Sequence, residues 1–146
     1  METARFGSRF SAWFIDWIGV GLAAGVLAGL LGLVTGLYSG TDSDLLALLV
    51  GGLALLMAAV LWLVQFLYFG YFWSKDGQSL GMKALGIQVV RRNEEPLSFL
   101  RAGLRGTVGY WISGLIFGLG YIWAAFDHDG EAWHDKIFDT RVLERR

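Results

Sequence analysis

Two apolar runs, residues 10–37 and 45–73, dominate the pattern of this chain. Each is longer than the roughly 20 residues a helix needs to cross a bilayer. The pattern predicts a first membrane helix over residues 9–37 and a second over residues 45–73. Phe10, Trp13, Phe14 and Trp17 cluster at the start of the first; Tyr68, Phe69, Tyr71, Phe72 and Trp73 cluster at the end of the second. Aromatic rings gather in this way at membrane–water interfaces. A short turn, residues 38–44, joins the two runs, and Ser43 or Asp44 is placed to cap the next helix. Gln65 is the one strongly polar residue in the body of the second run, and it is expected to hydrogen-bond between helices.

Beyond residue 73 the pattern changes. Ser74-Lys75-Asp76-Gly77 is turn chemistry. Gly86-Ile87-Gln88-Val89-Val90 alternates and is β-branched, which reads as a short strand. Asn93-Glu94-Glu95-Pro96 turns the chain again. Residues 97–126 begin amphipathic, with Arg101 and Arg105 one turn apart on one face, and end apolar, interrupted by Gly114, Gly118 and Gly120. This third segment either spans fully, or enters, breaks near Gly118 and Gly120, and returns. A charged tail starts at Asp127 and ends in a second strand-like run, residues 140–143. Two short strands pair only if they share one side of the membrane, and an unpaired strand leaves its backbone edges unsatisfied. That favours the broken, re-entrant form, which is tolerated where protein or a water cavity covers it. The expected fold is therefore an all-α membrane protein of one domain. It has two transmembrane helices, a third glycine-broken segment, and a small β-pairing of loop and tail.

Composition narrows the class. A formal net charge of −1 gives no basic face for nucleic acid. With no cysteine there is neither a disulfide nor a thiolate metal site. Arg5 and Arg9 resemble the start of a signal peptide, but the run that follows is far longer than an h-region and holds Asp16, so it reads as a retained helix. The lead carries Arg5 and Arg9, the 38–44 turn carries no lysine or arginine, and the segment after the second helix carries Lys75, Lys83, Arg91, Arg92, Arg101 and Arg105. This asymmetry predicts a cytoplasmic N-terminus and loop, with the turn facing outward. Gly21, Gly25 and Gly29 recur every four residues. Such a small-residue face suits close helix contact; a contact within this chain, against the second helix or the third segment, is favoured over a seam in a homo-oligomer or with other membrane subunits.

Three stretches carry a resemblance. They are Arg9-Phe-Ser-Ala-Trp-Phe-Ile-Asp16, Gln78-Ser-Leu-Gly-Met-Lys-Ala-Leu-Gly-Ile-Gln-Val-Val90 and Trp133-His-Asp-Lys-Ile-Phe-Asp-Thr-Arg-Val-Leu143. In this order the chain resembles the RDD family of small bacterial membrane proteins, named for one arginine and two aspartates. The resemblance maps the arginine to Arg9, the first aspartate to Asp16 and the second to Asp135. The family loop often reads Gly-Lys, whereas here Met82 separates Gly81 from Lys83. The resemblance implies a bacterial inner membrane location. It also implies ligand transport, with cation/proton exchange proposed for some members.

The candidate polar site is Arg9, Asp16, Arg105 and Asp135. A carboxylate deep in an apolar helix costs roughly 2.5–3.5 kcal/mol on insertion scales. Arg9 lies about 10 Å along the helix from Asp16, too far for an easy bond. Asp16 is therefore expected to pair with Arg105, or with Arg101, from the third segment. That pair is either a structural lock or part of an ion or proton path. Asp135 is expected to orient the tail against the arginines. Two histidines and no cysteine predict no transition-metal site, and Asp127-His-Asp-Gly-Glu lacks the spacing of a calcium loop. No nucleophile elbow, phosphate loop or triad is present, so no enzyme and no cofactor are expected. Two functions remain: a transporter of an ion or small ligand, working as a homo-oligomer, and a non-catalytic accessory subunit within a larger membrane complex.

Overall fold

The computed structural model describes residues 2–37 and 43–145. Two long helices run through the molecule, α1 (Phe6–Leu37) and α2 (Asp44–Lys75), and both are long and apolar enough to cross a membrane. Each exceeds its predicted bounds by a few residues. At the start of α1, Arg9 N–H already donates to the Arg5 carbonyl at 3.1 Å. At the start of α2, Ser43 Oγ accepts from Leu46 N–H at 3.3 Å, the cap expected of it. At its far end Asp76 closes the helix, and Gly77 takes a positive φ of 68°. Residues 38–42 of the predicted turn lie outside the described residues.

The remainder of the chain gathers at one end of these helices. A short helix, α3 (Leu80–Leu85), begins at Ser79, whose Oγ accepts from Met82 N–H, and ends at Gly86 with φ 64°. Strand β1 (Ile87–Arg91) follows. It pairs antiparallel with β2 (Thr140–Glu144), with Val89 opposite Val142. The loop–tail pairing expected from the two β-branched runs is present. Thr3 bridges Leu143 on the free side of β2, and Ala4 N–H donates to the Val142 carbonyl at 2.9 Å. The lead, loop and tail therefore meet on the same side. Trp73, Phe69, Ile87, Val89, Val142 and Tyr110 form the buried core there. Full burial of a large apolar side chain contributes about 1.5–3 kcal/mol, so this end holds most of the packing energy.

The third segment comprises α4 (Phe99–Leu104), a π-helical turn (Arg105–Gly109), α5 (Tyr110–Gly114), α6 (Leu119–Ile122) and a 3₁₀ turn (Trp123–Ala125). Its two arms bend by 106° at Phe117–Gly118, where both residues have positive φ. The segment is bent rather than continuous, and β2 returns to pair with β1, as the re-entrant reading expects. Gly120 lets the arms close, since a Cβ there would lie 2.5 Å from Ser113 Cα. Gln65 Nε2 donates to the Gly106 carbonyl in the π-helical turn at 2.7 Å, a bond between helices as expected. The tail then forms α7 (Trp133–Ile137) before β2.

One packing expectation is corrected. Among the described residues nothing comes within 4 Å of a Cβ placed at Gly21, Gly25 or Gly29, so that face does not contact α2 or the third segment. The close glycine contacts lie at the folded end instead. Gly103 sits under the Phe66 ring and Gly106 under Phe69, where a Cβ would fall 2.6 Å and 2.5 Å from them. Rings from α2 fill the space those missing side chains leave.

Candidate functional site

Asp16 faces inward on α1 beside Ala12, one turn earlier. Its Oδ1 accepts from Tyr68 Oη at 2.9 Å and from Gly81 N–H at 2.8 Å; its Oδ2 accepts from Ser79 Oγ at 2.5 Å. Tyr68 Oη in turn accepts from Leu80 N–H at 3.1 Å. Among the described residues Asp16 has no salt bridge. The expected pairing with Arg105 or Arg101 is therefore wrong. The physical reason is proximity. Gly81 has no side chain, so the start of α3 lies directly on the Ala12 carbonyl and brings Ser79 Oγ and the Gly81 N–H to the carboxylate, where Tyr68 of α2 is the third neutral donor. Hydrogen bonds stand in for the missing counter-charge.

Arg105 is drawn elsewhere. Asp135, on α7 and fully buried, accepts from Arg105 Nη2 at 2.5 Å and from Arg9 Nη2. Ala132 N–H (3.0 Å) and Thr140 Oγ1 (3.3 Å) complete its shell. Arg105 Nε also donates to Thr140 Oγ1 at 3.0 Å, and Arg9 reaches the Gly130 carbonyl. One carboxylate thus ties the start of α1, the π-helical turn and the tail together. Burial pushes the Asp135 carboxyl up, but the charges of Arg9 and Arg105 outweigh it and hold the group well below its ordinary range. Burial, opposed by Asp135 and aided by Arg105 and Arg9, pushes the neighbouring His134 ring down to about 3. His134 is neutral at neutral pH, with Ser113 Oγ 2.9 Å from its Nδ1. The Arg105 guanidinium also lies over the Trp73 ring, 4.4 Å from its centre.

Of the four candidate residues, the structure brings Arg9, Arg105 and Asp135 together and holds Asp16 in a separate shell. Sequence reasoning missed Tyr68, Ser79, Ser113 and Thr140. All are neutral partners that carry no charge pattern; only the capping position of Ser79 offered a local signal. Arg101 instead donates to the Phe138 carbonyl at 3.1 Å. Lys83 pairs with Asp76 at 2.7 Å.

A cavity of about 340 Å³ opens beside the arginine–aspartate cluster. Arg9, Arg105 and His134 border it on the polar side, and Phe6, Phe10, Trp13 and Tyr121 are among its aromatic walls. In the tail, Asp127, Asp129 and Glu131 bring carboxylate oxygens within 4.8 Å of one another. Two of these acids already have cations: Lys136 on Asp127, and Arg92 on Glu131 at 2.5 Å. The Lys136 bond holds the Asp127 carboxyl down to about 2.

Comparison with known proteins agrees with this architecture. The RDD family model matches residues 3–139. The chain is 36% identical over 81 residues to the uncharacterized protein YxaI of Bacillus subtilis, covering 55% of this chain. The match spans about half of that relative's length, 52%. No solved structure matches the chain. With a family model covering almost its whole length, this membrane protein belongs to the RDD family.

Proposed function

We propose that this chain transports a small ligand, which enters the cavity beside Arg9 and Arg105. The cavity carries this reading: it is a bounded space, aromatic on one side and cationic on the other, at the folded end of two membrane-length helices. Exchange of cations for protons has less support. The buried carboxylates are committed, Asp135 to two guanidiniums, Asp16 to three donors and Glu131 to Arg92. A cation inside the cavity would face the positive charges of Arg9 and Arg105. The apolar stretches of α1 and α2 are exposed in the single chain, so several copies are needed to enclose a path. The lysine and arginine asymmetry supports a cytoplasmic membrane location with lead, loop and tail inside the cell. The reading assigns no catalytic step and no cofactor.

The second reading is a non-catalytic accessory subunit. The open face at Gly21, Gly25 and Gly29 favours it, because a different membrane protein could pack there. Purification in mild detergent separates the two. A homogeneous homo-oligomer supports transport, and stable co-purification with unrelated membrane subunits overturns it. Sodium- or potassium-driven proton movement in reconstituted vesicles would reinstate cation exchange.

A further inference from the structure

We infer that the cavity takes an anionic amphiphile, an acidic head on an apolar chain, with the head against Arg105 and Arg9. The inference rests on the reading of this cavity as a ligand site and names the ligand's chemistry. Four observations support it. First, the cluster is unbalanced: two guanidiniums share the single carboxylate of Asp135, and His134 beside it is neutral. Asp16, the buried acid of α1, spends both oxygens on neutral donors and pairs with neither arginine. Second, Arg105 is 1% exposed, and its Nη1 has no hydrogen-bond partner among the described residues. A buried guanidinium N–H without an acceptor is costly, and an acidic oxygen supplies one. Third, two arginines and no carboxylate line the cavity among the described residues. Fourth, the walls change character with depth. Arg105, His134 and Ala132 are buried, whereas Phe6, Phe10 and Ile122 at the opposite side are exposed apolar residues.

The shape of that gradient selects the ligand class. A bare inorganic anion would satisfy Arg105 but leave aromatic walls facing water. A neutral amphiphile would cover the walls but leave the extra positive charge uncompensated in a site of low polarity. An acidic head with an apolar chain does both. The chain leaves through Phe6, Phe10 and Ile122, which in a bilayer face acyl chains.

The test is thermal unfolding of the detergent-purified protein with four probes: oleate, phosphatidic acid, phosphatidylcholine and inorganic phosphate. Oleate and phosphatidic acid, carrying the same chemistry from two sources, should each raise the melting temperature by about 5 °C at a hundredfold excess over Kd. Phosphatidylcholine and inorganic phosphate should not. Quenching of tryptophan fluorescence by bromine-labelled chains places the bound molecule, since Trp13 lines the cavity. Ala124→Leu fills the cavity without touching the ion cluster, and it should abolish both shift and quenching while the protein stays folded. Equal protection by phosphatidylcholine would overturn the acidic head yet leave the cavity as a ligand site. Protection by inorganic phosphate alone would overturn the amphiphile. Undiminished protection of Ala124→Leu would overturn the location. Binding of oleate by a chain that co-purifies with foreign subunits would keep this inference and remove transport.

Discussion

Asp135 meets Arg9, Arg105, Ala132 and Thr140 at once, so its charge matters more than its size. Asp135→Asn should leave the buried Arg105 and the half-buried Arg9 uncompensated and cost ~3–5 kcal/mol, read as a lower midpoint of unfolding in detergent. A variant as stable as the parent would mean the cluster contributes no net stability. The neighbouring ring gives a cleaner handle through pH. His134 protonates near its ordinary 6.5 in the unfolded chain but only at about 3 when folded. Between those values the unfolded state binds the extra proton, so stability falls as pH falls, by up to ~1.4 kcal/mol per pH unit. The depressed carboxyl of Asp135 adds its own loss only below the ordinary carboxylate range, about pH 4. The melting temperature should therefore decline from pH 6.5 to 4.5, and His134→Gln should flatten that decline. An unchanged slope in the variant would assign the decline to other groups.

Among the elements, α3 shows how backbone contact can decide what a charged group does. Its six residues are docked on α1 through Gly81, where any Cβ would collide with the Ala12 carbonyl. Gly81→Ala should force α3 away from Asp16 and cost about 1–3 kcal/mol, in line with other overpacked sites. Gly25→Ala, with nothing within 4 Å, should unfold within about 0.5 kcal/mol of the parent. Equal loss in both variants would mean that glycine content, not contact, sets stability. The same contrast shows what could be read from the sequence. Hydropathy placed α1 and α2, and β-branched alternation placed β1 and β2, because those patterns are local. The re-entrant bend was legible in Gly118. Helices α3 and α7, five or six residues long, leave almost no periodic signal. The choice of Asp135 over Asp16 by Arg105 was not legible, since it depends on which donors α3 delivers. The regular spacing of Gly21, Gly25 and Gly29 pointed to a contact, while the glycines that do make close contacts include Gly103, Gly106 and Gly109 of the third segment.

At the scale of the whole molecule, one end holds nearly all of the tertiary structure, and α1 and α2 project from it. The pairing of β1, β2 and Thr3 requires lead, loop and tail to share a side. The chain has no cysteine of its own, so single cysteines report cleanly. Thr3→Cys and Ser74→Cys should react with a membrane-impermeant reagent only after the cell is opened, whereas Ser43→Cys should react in intact cells. Outside labelling at Thr3 or Ser74 would invert the proposed orientation.

The sharing of Asp135 by Arg9 and Arg105 also orders events during biosynthesis. Arg9 leaves the ribosome early and Arg105 follows, but their common carboxylate emerges 126 residues after Arg9. Until then the nascent chain carries two unmatched cations, and β1 waits as an open edge. A polypeptide that stops before residues 133–144 leaves Arg9 and Arg105 without their shared carboxylate and β1 without its partner strand.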